Sequence, residues 1–433
     1  MANTYLTRTQ SMGNRTTFTF SAWVKRSSLG EQNLITVGTS GTSRTQFHFQ
    51  GQDALQFYNN DGGSVNMYIK TNRLFRDLSA WYHIVLRFDT TQSTASDRIR
   101  FYVNGEEETS LATNTIPSED ADNTQFNYNG IVADIGRRHY DATGYFDGSM
   151  SHVHFCDGQS YDASAFGETD SLTGIWKPKT APSVTYGTNG FFLKFENSAA
   201  FGTDSSGNAN TFTVNGTMTQ NIDTPSNVFA TLNPLFPAGG TLTFSKGNTS
   251  ITAPNDGLWK TTLSTMGAEN GKWYMEFKSG GNYVMAGVCD FNVTSRGING
   301  DNFASKTTVS QQGYGYYNGD GTIRYTGLEI NPYGDTYGSG DIIGIALDCD
   351  NHKLYFSKNG TWQNSGDPTS GATGTGAVSL DSTAGRVWGF AFSIYQTNDR
   401  FANFGNGYFG TTAVSSAQNP DDGIGIFEYD VPT

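Results

Sequence analysis

Three sets of residues in this 433-residue chain have types and spacings that could do chemistry. The first is a polar loop in which Asp204, Ser206 and Asn208 place side-chain oxygens around a glycine turn. Calcium prefers oxygen ligands of this kind, so the loop is a candidate calcium site. The alternative is an Asx turn without a metal, because Asp and Ser side chains close such turns unaided. The sequence leaves both alternatives open.

The second set is aromatic. Tyr314, Tyr316 and Tyr317 lie in a glycine-rich segment, Tyr333 follows it, and Trp362 comes after a hairpin turn. Such rings give rigid, amphipathic contact area on which a sugar can stack, so the five residues are candidate ligand-binding residues. The alternation of Tyr314 and Tyr316 also fits one inward face of a strand. Core or subunit packing is therefore the alternative that the sequence favours.

The third set consists of histidines and carboxylates. His152 and His154 alternate along one predicted strand and should share a face, but a zinc site needs a third ligand, which the sequence does not offer nearby. Glycoside hydrolysis needs two carboxyl groups about 5 Å apart, and no alternating Glu/Asp pattern places such a pair on a strand. We therefore expect no catalytic residue and no enzymatic activity.

Composition narrows the function classes further. Lys and Arg number 27 against 40 Asp and Glu, so the net charge of −13 argues against a nucleic-acid partner, which requires a basic face. No apolar run is long enough to insert into a membrane. The three cysteines are far apart and odd in number, so they form no disulfide framework.

The elements that must position these residues are short strands. Residues 18–24 alternate apolar and polar side chains, which predicts a half-buried strand. Residues 282–289 and 387–394 are apolar on both faces, which predicts central strands. Asn104-Gly105 and Asn359-Gly360 are strong signals for type I′ hairpin turns. The pattern predicts an all-β protein.

A boundary falls near the middle of the chain. Residues 220–240 contain three prolines and a Gly-Gly pair without a sustained period, which predicts a connector. The predicted domains are therefore residues 1–219 and 241–433, each long enough to bury its own core.

The first domain resembles the concanavalin A-like, laminin-G-like family, and the second resembles the SPRY domain. The motifs of the first are residues 18–23 (FTFSAW), 81–88 (WYHIVLRF), 100–105 (RFYVNG) and 144–148 (GYFDG). Those of the second are residues 271–277 (GKWYMEF), 341–348 (DIIGIALD), 353–360 (KLYFSKNG) and 387–392 (VWGFAF). The resemblance implies two tandem antiparallel β-sandwiches, a concanavalin A/laminin-G-like jelly roll and then a SPRY-like sandwich. It also implies calcium at loop ends.

The two domains in this order are similar to structural proteins of tailed, particularly marine, bacteriophages. Residues 166–170 (FGETD), 176–179 (WKPK) and 401–405 (FANFG) carry that similarity. It implies a non-catalytic protein of the virion surface, in a fibre, an appendage or a head decoration, made in the host cytoplasm. The implied partners are other virion proteins, a host cell-surface glycan and further copies of the chain, and we expect more residues after Thr433.

Two other functions remain open at this stage. One is a secreted bacterial adhesin that binds carbohydrate, which would need an export signal that the polar first twelve residues do not show. The other is a depolymerase that cleaves polysaccharide, which the missing carboxylate pattern disfavours.

Overall fold

The computed structural model describes the chain in segments, which are residues 4–236, 239–292, 302–304, 313–325, 328–330, 332–418 and 423–432. The chain forms two units, one of residues 1–220 and 224–227 and the other of residues 221–223 and 228–433. None of the helices in these segments is long and apolar enough to cross a membrane.

The first unit is built from strands with only short 3₁₀ turns at Ala95–Asp97 and Ala163–Ala165. Its strands are β1 (Tyr5–Thr9), β2 (Thr17–Arg26), β3 (Gln32–Ser40), β4 (Ser43–Phe49), β5 (Ala54–Asp61), β6 (Ser64–Leu74), β7 (Tyr82–Asp89), β8 (Ile99–Val103), β9 (Glu106–Glu107), β10 (Leu111–Thr115), β11 (Val132–Ile135), β12 (Gly148–Asp157), β13 (Gly167–Thr169), β14 (Trp176–Pro178), β15 (Phe191–Leu193) and β16 (Thr213–Asn215).

Two antiparallel sheets enclose the core of the first unit. One has eight strands in the order β10-β6-β5-β4-β3-β11-β1-β16, and the other has six in the order β15-β12-β2-β7-β8-β9. The alternation in β2 places Phe18 and Phe20 inward, where Phe18 stacks on Phe88 at 4.5 Å between ring centroids and Phe20 meets Phe47 edge-on at 5.8 Å. The predicted half-buried strand is confirmed, although its second face is buried as well.

The second face of the six-stranded sheet is covered by the chain that follows β12. Ala163, Phe166 and Trp176 from that segment pack against Val85 and Cys156 of the sheet. This cover buries polar side chains that a solvated sheet face would leave in water.

The expected shared face of His152 and His154 is wrong. The pairing of β12 with β2 shifts register between Ser151 and His154, and His152 adopts a positive φ of 48°. A bulge of this kind interrupts the two-residue period, so alternation no longer places the two rings side by side.

The second unit is also built from strands, with 3₁₀ turns at Gln363–Ser365 and Gly371–Thr373. Its described strands are β17 (Thr243–Ser245), β18 (Ser250–Thr252), β19 (Lys260–Ala268), β20 (Lys272–Lys278), β21 (Val284–Asp290), β22 (Gly313–Tyr317), β23 (Ile323–Tyr325), β24 (Leu328–Ile330), β25 (Ile342–Asp348), β26 (Lys353–Lys358), β27 (Thr361–Trp362), β28 (Val378–Ser379), β29 (Trp388–Ile394), β30 (Arg400–Asn403), β31 (Tyr408–Phe409) and β32 (Thr412–Ala413).

Two antiparallel sheets again share a core. An eight-stranded sheet runs β17-β18-β30-β20-β25-β26-β27, with β28 paired to β26, and a six-stranded sheet runs β19-β29-β21-β22-β23-β24. The apolar strands β21 and β29 are central, as their sequences predict. Both predicted hairpin turns form, with φ of 50° and 90° at Asn104-Gly105 and of 49° and 81° at Asn359-Gly360.

The predicted connector is correct only in its first part. From residue 228 onward the chain belongs to the second unit. The Leu232 side chain is fully buried in that unit's core, and its N–H donates to the Asn248 carbonyl at 2.8 Å. The Asn233 N–H donates to the Leu263 carbonyl at 2.8 Å. Prolines shortened the regular pattern here without preventing these residues from packing.

Candidate functional site

The five predicted ligand-binding aromatics do not form one surface. Tyr314, Tyr316 and Tyr333 are only 6%, 0% and 4% exposed, and all three belong to the core of the second unit. A sugar cannot stack on buried rings, so the packing alternative describes these three residues. Tyr317 and Trp362 are half-buried and lie in different sheets of that unit, in β22 and β27.

The Asp204 loop is closed by its own hydrogen bonds. One carboxylate oxygen of Asp204 accepts from the N–H groups of Phe192 at 2.9 Å and Ser206 at 2.8 Å. The other accepts from the Ser206 hydroxyl and the Asn210 N–H, both at 2.8 Å. The Asn208 amide donates to two backbone carbonyls of the preceding loop. This geometry is the Asx turn rather than a calcium site, and the described residues contain no cluster of three metal-ligating side chains.

Four other aromatic residues meet at one end of the six-stranded sheet of the second unit. Trp259 precedes β19, Tyr395 follows β29, Tyr283 precedes β21 and Tyr317 ends β22. Because neighbouring strands are antiparallel, these two strand starts and two strand ends lie at the same edge. The register agrees, since Ile394 of β29 pairs with the first residues of both β19 and β21. We call Trp259, Tyr283, Tyr317 and Tyr395 the aromatic cluster.

The rings of the aromatic cluster touch one another and remain open to solvent. The ring centroids of Trp259 and Tyr395 are 5.5 Å apart, those of Tyr283 and Tyr395 are 5.3 Å apart, and those of Trp259 and Tyr317 are 6.0 Å apart. Tyr283 is 44% exposed, and the other three are half-buried. The cluster is thus a partly solvated aromatic surface held by packing between its own members.

Tyr283 has an unusual backbone conformation. Its φ is 54°, a region that bulky side chains rarely occupy and that costs on the order of 1–3 kcal/mol. Hydrogen bonds on both sides hold it there. The Asn282 carbonyl accepts from the Arg400 guanidinium at 2.7 Å, and the Val284 N–H donates to the Asn318 side-chain oxygen at 3.0 Å. Backbone strain of this sort is enriched at binding sites.

Arg400 is the buried support of this end of the sheet. Its side chain is fully buried, and burial lowers its pKa to about 10, which still leaves it charged at neutral pH. Its guanidinium also donates to the carbonyls of Gln396 at 2.8 Å and Asn398. One cation therefore fixes both the Tyr283 turn and the chain that follows Tyr395.

A charged pair borders the aromatic cluster at Tyr317. The Arg324 guanidinium lies 4.1 Å from the Tyr317 ring centroid and donates to Asp320 at 2.9 Å. Burial alone would raise the pKa of Asp320, but hydrogen bonds from Thr322 and Arg324 outweigh it and lower that pKa. Burial raises the pKa of Tyr317. At neutral pH the border presents one carboxylate, one guanidinium and a neutral phenol.

A second concave feature of this unit is a polar cleft of about 310 Å³. Arg386 bridges Asp290 and Asp381 along its wall, and the Asp381 N–H donates to the Tyr314 hydroxyl at 3.1 Å. Tyr314 therefore supports the wall from inside the core. Cys349 lines the cleft, but burial raises its pKa to about 12, so it is protonated at neutral pH.

The sequence named one member of the aromatic cluster, Tyr317, and missed the other three. Tyr283, Tyr395 and Trp259 each stand next to an apolar strand, where a single aromatic residue carries no special signal. Their convergence depends on which strands are neighbours, and strand order is a tertiary property.

Comparison with known proteins gives the family of each unit. Residues 2–160 match the family model described as the concanavalin A-like lectin/glucanases superfamily, and residues 272–379 match the SPRY domain model. A search of the curated proteins found no match. The chain thus contains a concanavalin A-like domain followed by a SPRY domain, which confirms that part of the sequence prediction and indicates a binding module.

Solved structures similar to parts of the chain include two SPRY domains and a pentraxin. The SPRY domain of human HERC1 is 18% identical with a TM-score of 0.30, and the match covers 40% of this chain and 96% of that one. The TRIM65 PSpry domain is 12% identical with a TM-score of 0.31, covering 40% and 91%. The native heptameric SAP-like pentraxin from Limulus polyphemus is 15% identical with a TM-score of 0.30, covering 49% and 89%.

Proposed function

We propose that this chain is a non-catalytic carbohydrate-binding protein and that the aromatic cluster of the second unit binds the sugar. The observation that carries the proposal is the convergence of four aromatic side chains from four strands on one solvent-accessible sheet end. Aromatic rings offer flat apolar faces for the C–H groups of a sugar, and the tyrosine hydroxyls offer polar contacts at the rim.

The charges beside the aromatic cluster favour a ligand rich in hydroxyl groups. Asp320 supplies acceptor oxygens and Arg324 supplies donors, and the two neutralise each other at 2.9 Å. A neutral sugar meets both without leaving a charge unpaired, whereas an ionic ligand would have to compete with the existing pair. We therefore propose neutral oligosaccharides for this site.

The absence of catalysis is part of the same proposal. A general acid for glycoside hydrolysis needs a raised pKa, and Asp320, the carboxylate that borders the cluster, has a lowered one. A depolymerase remains the competing function. Release of reducing ends from a polysaccharide that the protein binds would favour it over simple binding.

For the biological setting we propose a tailed-bacteriophage virion surface protein. The similarity of the tandem domain order and of the short motifs at residues 166–170, 176–179 and 401–405 supports this setting. In it, the partners would be a host cell-surface glycan, other virion proteins and further copies of the chain, and calcium would not be required. A secreted bacterial adhesin is the competing setting, and finding the protein in purified virions would distinguish the two.

The direct test is a screen of the purified full chain on a glycan array, followed by calorimetry with the best neutral oligosaccharide. Tyr395→Ala should weaken binding at least tenfold, since removing one stacked ring costs on the order of 1.4 kcal/mol. Tyr128→Ala is the matched control, because Tyr128 is 41% exposed and lies in the first unit. Equal binding by both variants, or no glycan binding at all, would refute the proposal.

A further inference from the structure

The outer face of the eight-stranded sheet in the first unit carries an unusual set of side chains. Phe47, Phe57 and Ile69 point into the core from β4, β5 and β6, so their strand neighbours point outward. The outward residues of interest, which we call the sheet-face patch, are Arg44, Tyr58, Asn60, Tyr68 and Lys70.

The strand register places these side chains next to one another. Tyr58 pairs directly with Tyr68, and their ring centroids are 5.7 Å apart at an interplanar angle of 82°. Arg44 pairs with Asn60 on one side of that row, and Gln56 pairs with Lys70 on the other. Same-face residues repeat every ~6.8 Å along a strand and every ~4.8 Å across strands, so the patch is longer than one sugar ring.

The two cations of the patch have no acidic partner in the described part of the chain. The Arg44 guanidinium lies 5.1 Å from the Tyr58 ring centroid and donates from Nε to the Gln46 side chain at 2.7 Å. Other buried acids of this unit are neutralised by arginines, as Asp53 is by Arg26. Two unmatched cations in a chain of net charge −13 mark a local excess of positive charge.

Two buried polar atoms of the same face also have no hydrogen-bond partner among the described residues. Asn60 is 7% exposed, and although its amide nitrogen donates to the Tyr58 hydroxyl at 3.2 Å, its Oδ1 accepts nothing. His48, which pairs with Gln56, is 4% exposed and its Nδ1 is likewise unpartnered. Buried polar groups are normally satisfied, so such atoms indicate a face whose hydrogen bonding is incomplete.

We infer that the sheet-face patch is a second binding site and that its ligand is an anionic oligosaccharide, such as an oligouronate. Arg44 can hold a carboxylate through two parallel N–H groups, and Lys70 can pair with another carboxylate further along the chain. Tyr58 and Tyr68 provide the aromatic surface between them. The inference concerns the other unit and the opposite ligand charge, so it goes beyond the proposed function and does not depend on it.

The test uses the full chain and two sugars that differ only in charge, a galacturonic acid hexamer and a galactose hexamer of the same linkage. Calorimetry at low salt should detect the acidic hexamer with at least tenfold higher affinity. The double variant Arg44→Gln/Lys70→Gln should lose at least tenfold in that affinity, and Arg44→Lys should lose less than Arg44→Gln because the charge is kept. Lys272→Gln, an exposed cation on β20 of the second unit, is the control and should bind as the parent does.

Several results would overturn the inference. They are undetectable binding of the acidic hexamer, equal binding of the neutral one, and unchanged affinity in the double variant with an unchanged melting temperature. Equal affinity for inorganic polyphosphate would show a non-specific charge effect. Tyr395→Ala should leave binding of the acidic hexamer intact, which separates failure at this site from failure at the aromatic cluster.

Discussion

At the residue scale, Tyr283 shows how an exposed side chain can be held at a cost in stability. Its left-handed backbone is strained for a tyrosine, yet its ring lies in the aromatic cluster. Glycine adopts the same φ without a steric penalty but has no ring. Stability and binding should therefore respond in different directions to substitution here.

We predict that Tyr283→Gly changes the free energy of unfolding by less than about 1 kcal/mol, because relief of backbone strain offsets the lost contact with Tyr395. The same change should weaken oligosaccharide binding at least tenfold. Urea unfolding and calorimetry measure the two quantities. A stability loss above about 2 kcal/mol would mean that the ring is needed for folding rather than for binding.

A second residue-scale feature is the buried histidine His83. Its Nδ1 accepts from the Trp176 indole N–H at 3.0 Å, so in the neutral ring the proton resides on Nε2, which donates to the Ser21 hydroxyl at 2.9 Å. Burial lowers the pKa of His83 to about 3, and burial together with the charges of Arg138 and Arg44 lowers that of His48 to about 3. Both rings must be neutral in the folded first unit.

This arrangement predicts loss of stability in mild acid. The folded pKa values lie below the ordinary value of 6.5, so the unfolded chain binds more protons and stability falls as pH falls below 6.5. Each ring should cost about 2 kcal/mol between pH 7 and pH 5. Hydrogen exchange of β7 amides should show this fall, and His83→Gln should remove about half of it. A first unit equally stable at both pH values would contradict the prediction.

At the element scale, glycines in the hairpin turns serve two distinct purposes. Gly105 and Gly63 have similar positive φ values, 90° and 94°. A Cβ on Gly63 would meet nothing within 4 Å, whereas a Cβ on Gly105 would come within 2.9 Å of the Trp176 ring. The pair separates the backbone requirement from the packing requirement.

We predict that Gly63→Ala costs about 1 kcal/mol of unfolding free energy, the penalty of a left-handed alanine. Gly105→Ala should cost about 1–3 kcal/mol more, because the Trp176 ring that covers the sheet must move. Chemical denaturation of the two variants gives the difference. Equal costs would show that the Trp176 cover adapts freely.

At the scale of the whole molecule, the boundary between the units is testable. Residues 228–240 contribute a fully buried leucine and backbone hydrogen bonds to the second unit, although their prolines resemble a linker. A fragment that begins at residue 241 lacks them, while one that begins at residue 221 retains them.

We predict that the 221–433 fragment is more stable than the 241–433 fragment by at least about 2 kcal/mol, the usual minimum for losing a buried leucine. Leu232→Ala in the longer fragment should account for much of the difference, and Leu235→Ser, at a position 49% exposed, is the control. Indistinguishable denaturation curves for the two fragments would restore the connector as predicted.

Much of the fold could be predicted from local patterns. Alternation identified β2, apolar runs identified the central strands β21 and β29, and Asn-Gly pairs identified two hairpin turns. These patterns follow from residues close in sequence. The histidine pair failed, because a bulge in β12 depends on how that strand meets its neighbour.

The candidate sites show where local reasoning ends. The sequence by itself determined an all-β chain of two domains with abundant tyrosine. It could not tell Tyr316, which the tertiary structure buries completely, from Tyr317, which stays partly exposed one residue later. Only the order of strands in the sheets decided which aromatic rings meet and which cations lack a partner. Burial and convergence are sums over residues far apart in sequence, so the tertiary structure alone assembled the aromatic cluster and the sheet-face patch.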